Sequence, residues 1–206
     1  MLLVDNSVTA FISETASSSP APGGGSISAL SGASAAALLE MVSNLTLSKE
    51  KYADVFKDME EIKKECEDAR IFFIDMIDKD SDSFNAIMSC FKLPKDTDEQ
   101  KQFRSAKIQE GYKKAVEVPL GVGKRAYSIM KLGKLAIEKG NPNSVTDATV
   151  AVMQAKTAVL GAFYNVKINL GSIKDMDFVQ KVQAEVEDIE KRIESEEKEI
   201  LSMVKL

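Results

Sequence analysis

The chain has 206 residues, 44% of them apolar and 29% charged, with a net charge of −5. That length supports one substantial core, and no run of Lys/Arg interleaved with aromatics is present, which argues against nucleic acid as a partner. There is no histidine, and the cysteines are only Cys66 and Cys90. Ser-His-Asp and Cys-His mechanisms are therefore excluded, and no metal site is expected.

The pattern along the chain is helical throughout. No segment alternates with period two, and no Asn-Gly or Asp-Gly turn occurs. A short helix is expected over Ser7–Ala16, followed by the loop Ser17–Ser26 and its Gly23-Gly24-Gly25 run. A second helix, Ser26–Leu47, begins with small side chains that let another backbone or a flat ligand approach closely. The third, Glu50–Phe91, is the longest. A polar helix, Asp98–Glu117, follows the break at Leu93-Pro94. Pro119 then suits either the first turn of a new helix or a kink in a continuous one. That helix ends at Gly140.

Ser144, with Asp147 three residues on, has the spacing of a capping box for a sixth helix ending near Leu170. This segment holds few charges and reads as a buried central helix, not a membrane span. The last helix, Asp175–Val204, carries a narrow heptad-like seam of Val179, Val182, Val186, Ile189, Ile193, Ile200 and Val204, suited to packing along the body or against a second subunit. The expected fold is all-α: about seven helices in one domain, 1–206. The N-terminus has no basic stretch followed by an apolar run, so no signal peptide is expected. The two thiols near a helical stripe read as reduced, in a cytoplasmic protein.

One residue breaks the pattern. Val55, Met59, Ile62, Cys66, Ala69, Phe73, Met76, Asp80, Phe84, Ile87 and Phe91 recur at the helical period. All are apolar except Asp80. Asp78 and Asp82 point almost the opposite way, so the acidic run is not a cluster. A carboxylate on a core stripe is paired, neutralised or used; pairing with Lys or Arg and capping of a neighbouring helix are the structural alternatives. Three weaker candidates follow. The glycine loop leads into a helix N-terminus, which favours an anion or carbonyl oxygen, but it is neither a Walker nor a dinucleotide motif. Lys49, Lys51 and Tyr52 lie at a helix–helix turn. Asn141, Asn143, Ser144 and Asp147 lie at another, where capping explains Ser144 and Asp147.

Taken as a series, these segments resemble the cyclodeaminase/cyclohydrolase family of folate enzymes. The resemblance rests on Ser18–Ser26, Met41–Thr46 with Lys49-Glu50-Lys51-Tyr52, Asp80–Phe84, Leu93-Pro94-Lys95, Val118-Pro119-Leu120, Gly140–Ser144 with Asp147-Ala148, and Asn165–Leu170. It covers nearly the whole chain in order. Ser48 stands where a Gly is common, Ala21 where Thr is frequent, and there is no formiminotransferase domain.

The resemblance implies an all-helical fold, usually dimeric, and hydrolysis of 5,10-methenyltetrahydrofolate to 10-formyltetrahydrofolate without cofactor or metal. By the same carry-over Asp80 is the general base and Asp147 a second carboxylate. Pro22, Gly23, Gly24, Gly25 and Ser26 form the loop approaching the ring; Asn44, Asn141, Ser144 and Asn165 are hydrogen-bonding candidates. Lys49 and Lys51, beside Tyr52, are expected to hold the glutamate tail. The same-family rival is formiminotetrahydrofolate cyclodeaminase beside a separate formiminotransferase or other folate enzymes. The different-class rival is a non-catalytic helical folate-binding or interaction protein. It predicts Asp80 paired with a Lys or Arg and reached by no cavity.

Overall fold

A computed structural model describes residues 2–205. Among them are six α-helices and no strand: α1 Val8–Thr15, α2 Gly24–Leu47, α3 Phe56–Phe91, α4 Asp98–Lys139, α5 Val145–Leu170 and α6 Met176–Ser202. Short 3-10 turns occupy Leu3–Asp5, Glu50–Val55 and Pro142–Ser144. The expected third helix is thus a 3-10 turn running into α3.

Of the two readings of Pro119, the continuous helix is the one observed, which makes six helices instead of seven. Pro119 lies inside the 42-residue α4. A proline removes the amide that would bond the carbonyl four residues back, here Ala115. Asn169, from α5, fills that place: its Nδ2 donates to the Ala115 carbonyl at 3.1 Å. A side chain on a neighbouring helix lets α4 continue. At its start Thr97 accepts from the Gln100 amide at 3.2 Å while the Gln100 side chain accepts from the Thr97 amide, a complete capping box.

The capping box expected at Ser144 does not form. The Ser144 hydroxyl turns back and donates to the Asn141 carbonyl at 2.9 Å, and no side chain caps α5. Ser144 is a closing residue of the 3-10 turn.

Helices α2, α3, α4 and α5 form the bundle, and one cluster of buried side chains runs through it and includes residues of α1 and α6. Small residues set the spacing. A methyl group on Gly32 would lie 2.7 Å from the Phe73 ring, and one on Gly123 would lie 2.3 Å from Phe163. Both contacts are closer than carbon atoms tolerate, so α2–α3 and α4–α5 approach to ring thickness. The α6 seam packs on the body: Val182, Val186, Ile189, Ile193 and Ile200 are buried, and Lys124, Lys134, Lys156 and Lys167 reach α6 carboxylates. Helix α5, expected to be surrounded, is covered on three sides only. Along the fourth, Val150, Met153, Tyr164 and Ile168 are exposed.

Candidate active site

The middle of the α3 stripe is buried as its spacing requires: Met59, Ile62, Cys66, Ala69, Phe73, Met76 and Ile87 face the core, while Phe91 at its end is exposed. Asp80 therefore points inward, onto the first turn of α2. A methyl group on Gly25 would sit 2.0 Å from Asp80 Oδ1, so only glycine admits the carboxylate there. The Ser26 hydroxyl lies 3.1 Å from Asp80 Oδ2 and 2.9 Å from the Ile77 carbonyl, and the Ser26 amide also bonds the carboxylate.

The N-cap of α2 is Gly23, with no capping side chain of its own. Asp80 supplies that helix end with a carboxylate from another helix. One structural alternative, capping of a neighbouring helix, is thus present. The other is not: no Lys or Arg among the described residues forms an ion pair with Asp80. Burial pushes the Asp80 pKa up, opposed by the Ser26 hydroxyl and amide. Desolvation outweighs the helix end, which favours the charged form.

Asp80 does not fill its surroundings. A cavity of about 300 Å³ is lined by Pro20, Ala21, Gly23, Gly24, Gly25, Asp80, Ser83, Phe84, Ile87, Ala115, Asn165, Ile168 and Asn169. That is at the lower end for small-molecule sites. Asp80 is its one charged lining residue. Asn165 and Asn169 stand one turn apart on α5. Their Nδ2 groups are engaged by the carbonyls of Gly161, at 2.9 Å, and Ala115, at 3.1 Å, which leaves each Oδ1 as an acceptor. Ala115 contributes the carbonyl freed by Pro119.

Of the residues singled out in the sequence, the structure brings together Gly23, Gly24, Gly25, Asp80 and Asn165, with Ser26 just beneath the carboxylate. Pro22 is buried behind the loop. Ser83, Ala115, Ile168 and Asn169 were not singled out. Asn169, one turn beyond Asn165, was within reach of the period; Ala115 was not.

The remaining candidates lie at the other end of α2, whose 24 residues span about 36 Å. There the Tyr52 hydroxyl donates to Asn141 Oδ1 at 3.1 Å, and the Asn141 amide bonds Thr46 Oγ1 at 2.9 Å. Lys51 Nζ lies 4.7 Å from the centre of the Tyr52 ring. Lys49 flanks this knot, Ser144 is buried within it, and Asn44 and Asp147 are on the adjoining turns of α2 and α5. Within one chain, none of these residues reaches Asp80.

A helical bundle with an ion-pair-free carboxylate on the wall of a cavity defines a protein equipped for acid–base chemistry. Among the described residues no three of His, Cys, Asp or Glu gather as a metal set would. Residues 7–188 match the family model described as formiminotransferase-cyclodeaminase, and the chain belongs to that family. It is 39% identical to a methenyltetrahydrofolate cyclohydrolase of Methylorubrum extorquens, over 90% of this chain and 89% of the relative. It is 32% identical to the formimidoyltransferase-cyclodeaminase of Rattus norvegicus over 91% of this chain, which spans 35% of that longer protein. A crystal structure of formiminotetrahydrofolate cyclodeaminase from Thermotoga maritima superposes with a TM-score of 0.86 at 30% identity, covering 97% of this chain and 96% of that one.

Proposed function

We propose that this chain is an enzyme of folate one-carbon metabolism that hydrolyses 5,10-methenyltetrahydrofolate to 10-formyltetrahydrofolate. The observation that carries the reading is Asp80: half-buried, without a cationic partner, and facing a cavity beside the glycine loop. The substrate carbon is the centre of an amidinium cation. Binding that cation replaces the missing partner and draws the raised carboxyl back to its ionised form. Asp80 then takes a proton from water as the oxygen bonds to the carbon. The tetrahedral adduct collapses by breaking the bond to the ring nitrogen, which takes the proton from Asp80 as it leaves; the adduct's hydroxyl gives up its proton to solvent, and the formyl group stays on the other nitrogen. Such a base contributes ~10²–10⁴-fold. Asn165, Asn169 and the Ala115 carbonyl supply acceptors for the ring edge, and Phe84 and Ile87 supply an apolar wall.

The name of the Thermotoga structure favours a second reading on the same site. In a cyclodeaminase the formimino group sits on the ring nitrogen; the other nitrogen attacks its carbon, and the formimino nitrogen departs as ammonia, taking the attacking nitrogen's proton and one from protonated Asp80. Both reactions meet at the methenyl compound. The reading includes one catalytic domain, no cofactor, a cytoplasmic setting consistent with the free thiols of Cys66 and Cys90, and a homodimer. A separate formiminotransferase is its partner only in the second reading.

The test uses the methenyl chromophore. Wild-type protein is expected to bleach methenyltetrahydrofolate, and Asp80→Asn to lose at least a hundredfold in kcat with its helical content unchanged. Turnover of Asp80→Asn within a few-fold of wild type sinks the role of Asp80. Faster conversion of formiminotetrahydrofolate than of the methenyl compound selects the second reading.

A further inference from the structure

Either reaction leaves the site one proton out of balance. In the hydrolysis the adduct's hydroxyl sheds a proton that the ring nitrogen does not take. In the second reading Asp80 must regain the proton it gives to the departing ammonia. While the ring fills a hollow of about 300 Å³, that proton needs a route that does not cross the substrate.

Two hydroxyls that do not line the hollow stand behind the carboxylate. Ser26 Oγ is 3.1 Å from Asp80 Oδ2, 2.9 Å from the Ile77 carbonyl and 3.3 Å from Ser81 Oγ. Ser26 is wholly buried and Ser81 is half-buried. Asp80, Ser26 and Ser81 thus connect the hollow to the outer side of α3. Asp78 lies one turn back from Ser81 and Asp82 adjoins it, so the outer end is acidic and draws cations, hydronium included.

Ser26 is bonded unlike Ser28, Ser34 and Ser43 of the same helix. Each of those donates to the carbonyl four residues back, at 2.7, 2.9 and 2.9 Å, where a helix serine ordinarily settles. Four residues before Ser26 is Pro22, outside the helix. The Ser26 hydroxyl instead leaves α2 for α3, where its single proton faces two acceptors. One of them, the Ile77 carbonyl, already receives the Ser81 amide as part of α3. The Ser26 proton is therefore free to turn to Asp80 when the carboxyl is ionised. When the carboxyl is protonated, Asp80 donates to Ser26 Oγ and the Ser26 proton turns back to Ile77. Every buried oxygen stays bonded in both states. Ser81 Oγ bonds no other side chain among the described residues. Separations of 3.1 and 3.3 Å exceed those of a settled O–H···O bond, as suits protons that are passed on.

We infer that Ser26 and Ser81 are positioning residues that form a proton path behind Asp80, joining it to solvent while substrate occupies the hollow. This rests on the folate reading above. In the hydrolysis the adduct's hydroxyl gives its proton to Asp80 once the ring nitrogen has taken the first. Asp80 passes it to Ser26 Oγ as the Ser26 proton moves to Ser81 Oγ and the Ser81 proton moves to water. One proton leaves per turnover, each oxygen keeps its own number, and rotation of the two hydroxyls resets the path. In the second reading the same moves run inward and reprotonate Asp80.

Ser81→Thr against Ser81→Val isolates the hydroxyl. The two side chains have the same shape, and the position is half-exposed, so both should fold. Only threonine carries a hydroxyl, and valine fills the space a replacement water would need. With the folate that wild type converts faster, in dilute buffer, Ser81→Thr should keep kcat within about twofold, and Ser81→Val should lose roughly tenfold, with KM unchanged in both. At fixed pH and ionic strength, added imidazole should speed Ser81→Val towards wild type and leave wild type unchanged. In a Ser26→Ala background the path is already cut, so Ser81→Val and Ser81→Thr should give equal rates.

Equal kcat for Ser81→Val and Ser81→Thr in the otherwise wild-type chain, or a loss carried in KM, overturns the path and leaves the folate reading standing. So does a Ser81→Val rate indifferent to imidazole, or a difference between the two variants that persists in Ser26→Ala. Wild-type protein that converts neither folate removes the folate reading and the path together.

Discussion

The two ends of α2 are built from similar residue types and do opposite things with them. At the C-terminal end Tyr52, Asn141, Thr46 and Ser144 satisfy one another, leaving little room between them. At the N-terminal end Asp80 is bonded on one side, by Ser26, and opens on a cavity on the other. A fully paired polar cluster fixes a turn. A carboxylate paired on one side only, next to empty space, is equipped to act on something else. Polar residues beside a loop do not mark a site; unfilled bonding capacity beside a cavity does.

The largest expected effect is at the N-terminal end. Gly25→Ala places a methyl group where Asp80 Oδ1 now lies. The carboxylate must turn away, so kcat should fall at least a hundredfold, and overpacking should cost ~1–3 kcal/mol in urea unfolding. Full activity in Gly25→Ala would show that the position of Asp80 does not matter. Next is Asn169→Ala, which strips the Ala115 carbonyl of its donor at a cost of ~1–3 kcal/mol. In a Pro119→Ala background the restored helix amide should bond that carbonyl, and the same Asn169 change should then cost much less; equal costs in both backgrounds would refute the exchange.

At the C-terminal end Tyr52→Phe removes one bond of the knot and should cost ~0.5–1.5 kcal/mol, measured by thermal unfolding. The smallest effect is one of sign. Because the Asp80 pKa is raised in the folded chain, folding binds the proton more tightly than unfolding does. Stability therefore falls as pH rises from the ordinary carboxyl range through the raised value, and the loss persists above it. Asp80→Asn should melt higher than wild type near neutral pH, with the gain fading on acidification. A gain that grows on acidification would contradict the shift.

Much of this was legible in the chain. The period of the α3 stripe placed Asp80 inward, and it separated Asp80 from Asp78, whose carboxylate instead holds the Leu3 amide at 2.5 Å. The α6 seam was equally plain. The Ser144 box failed because a serine hydroxyl has a closer carbonyl to reach once Pro142 tightens the turn. Pro119 stayed open between a helix start and a continuous helix because its repair comes from Asn169, 50 residues on, and no local pattern records that. The separation of Lys49 from Asp80 was hidden for another reason. A list of motifs carries no lengths, and the helix between them sets the distance.

The exchange at Pro119 has an evolutionary consequence. A proline in α4 and an asparagine in α5 form one functional unit in which neither is neutral to lose first. Losing the asparagine leaves a carbonyl bare on the cavity wall; losing the proline supplies a rival donor and releases the amide of Asn169. Variation among relatives should therefore show the two positions changing together or not at all, and a cavity wall built this way is inherited as a pair.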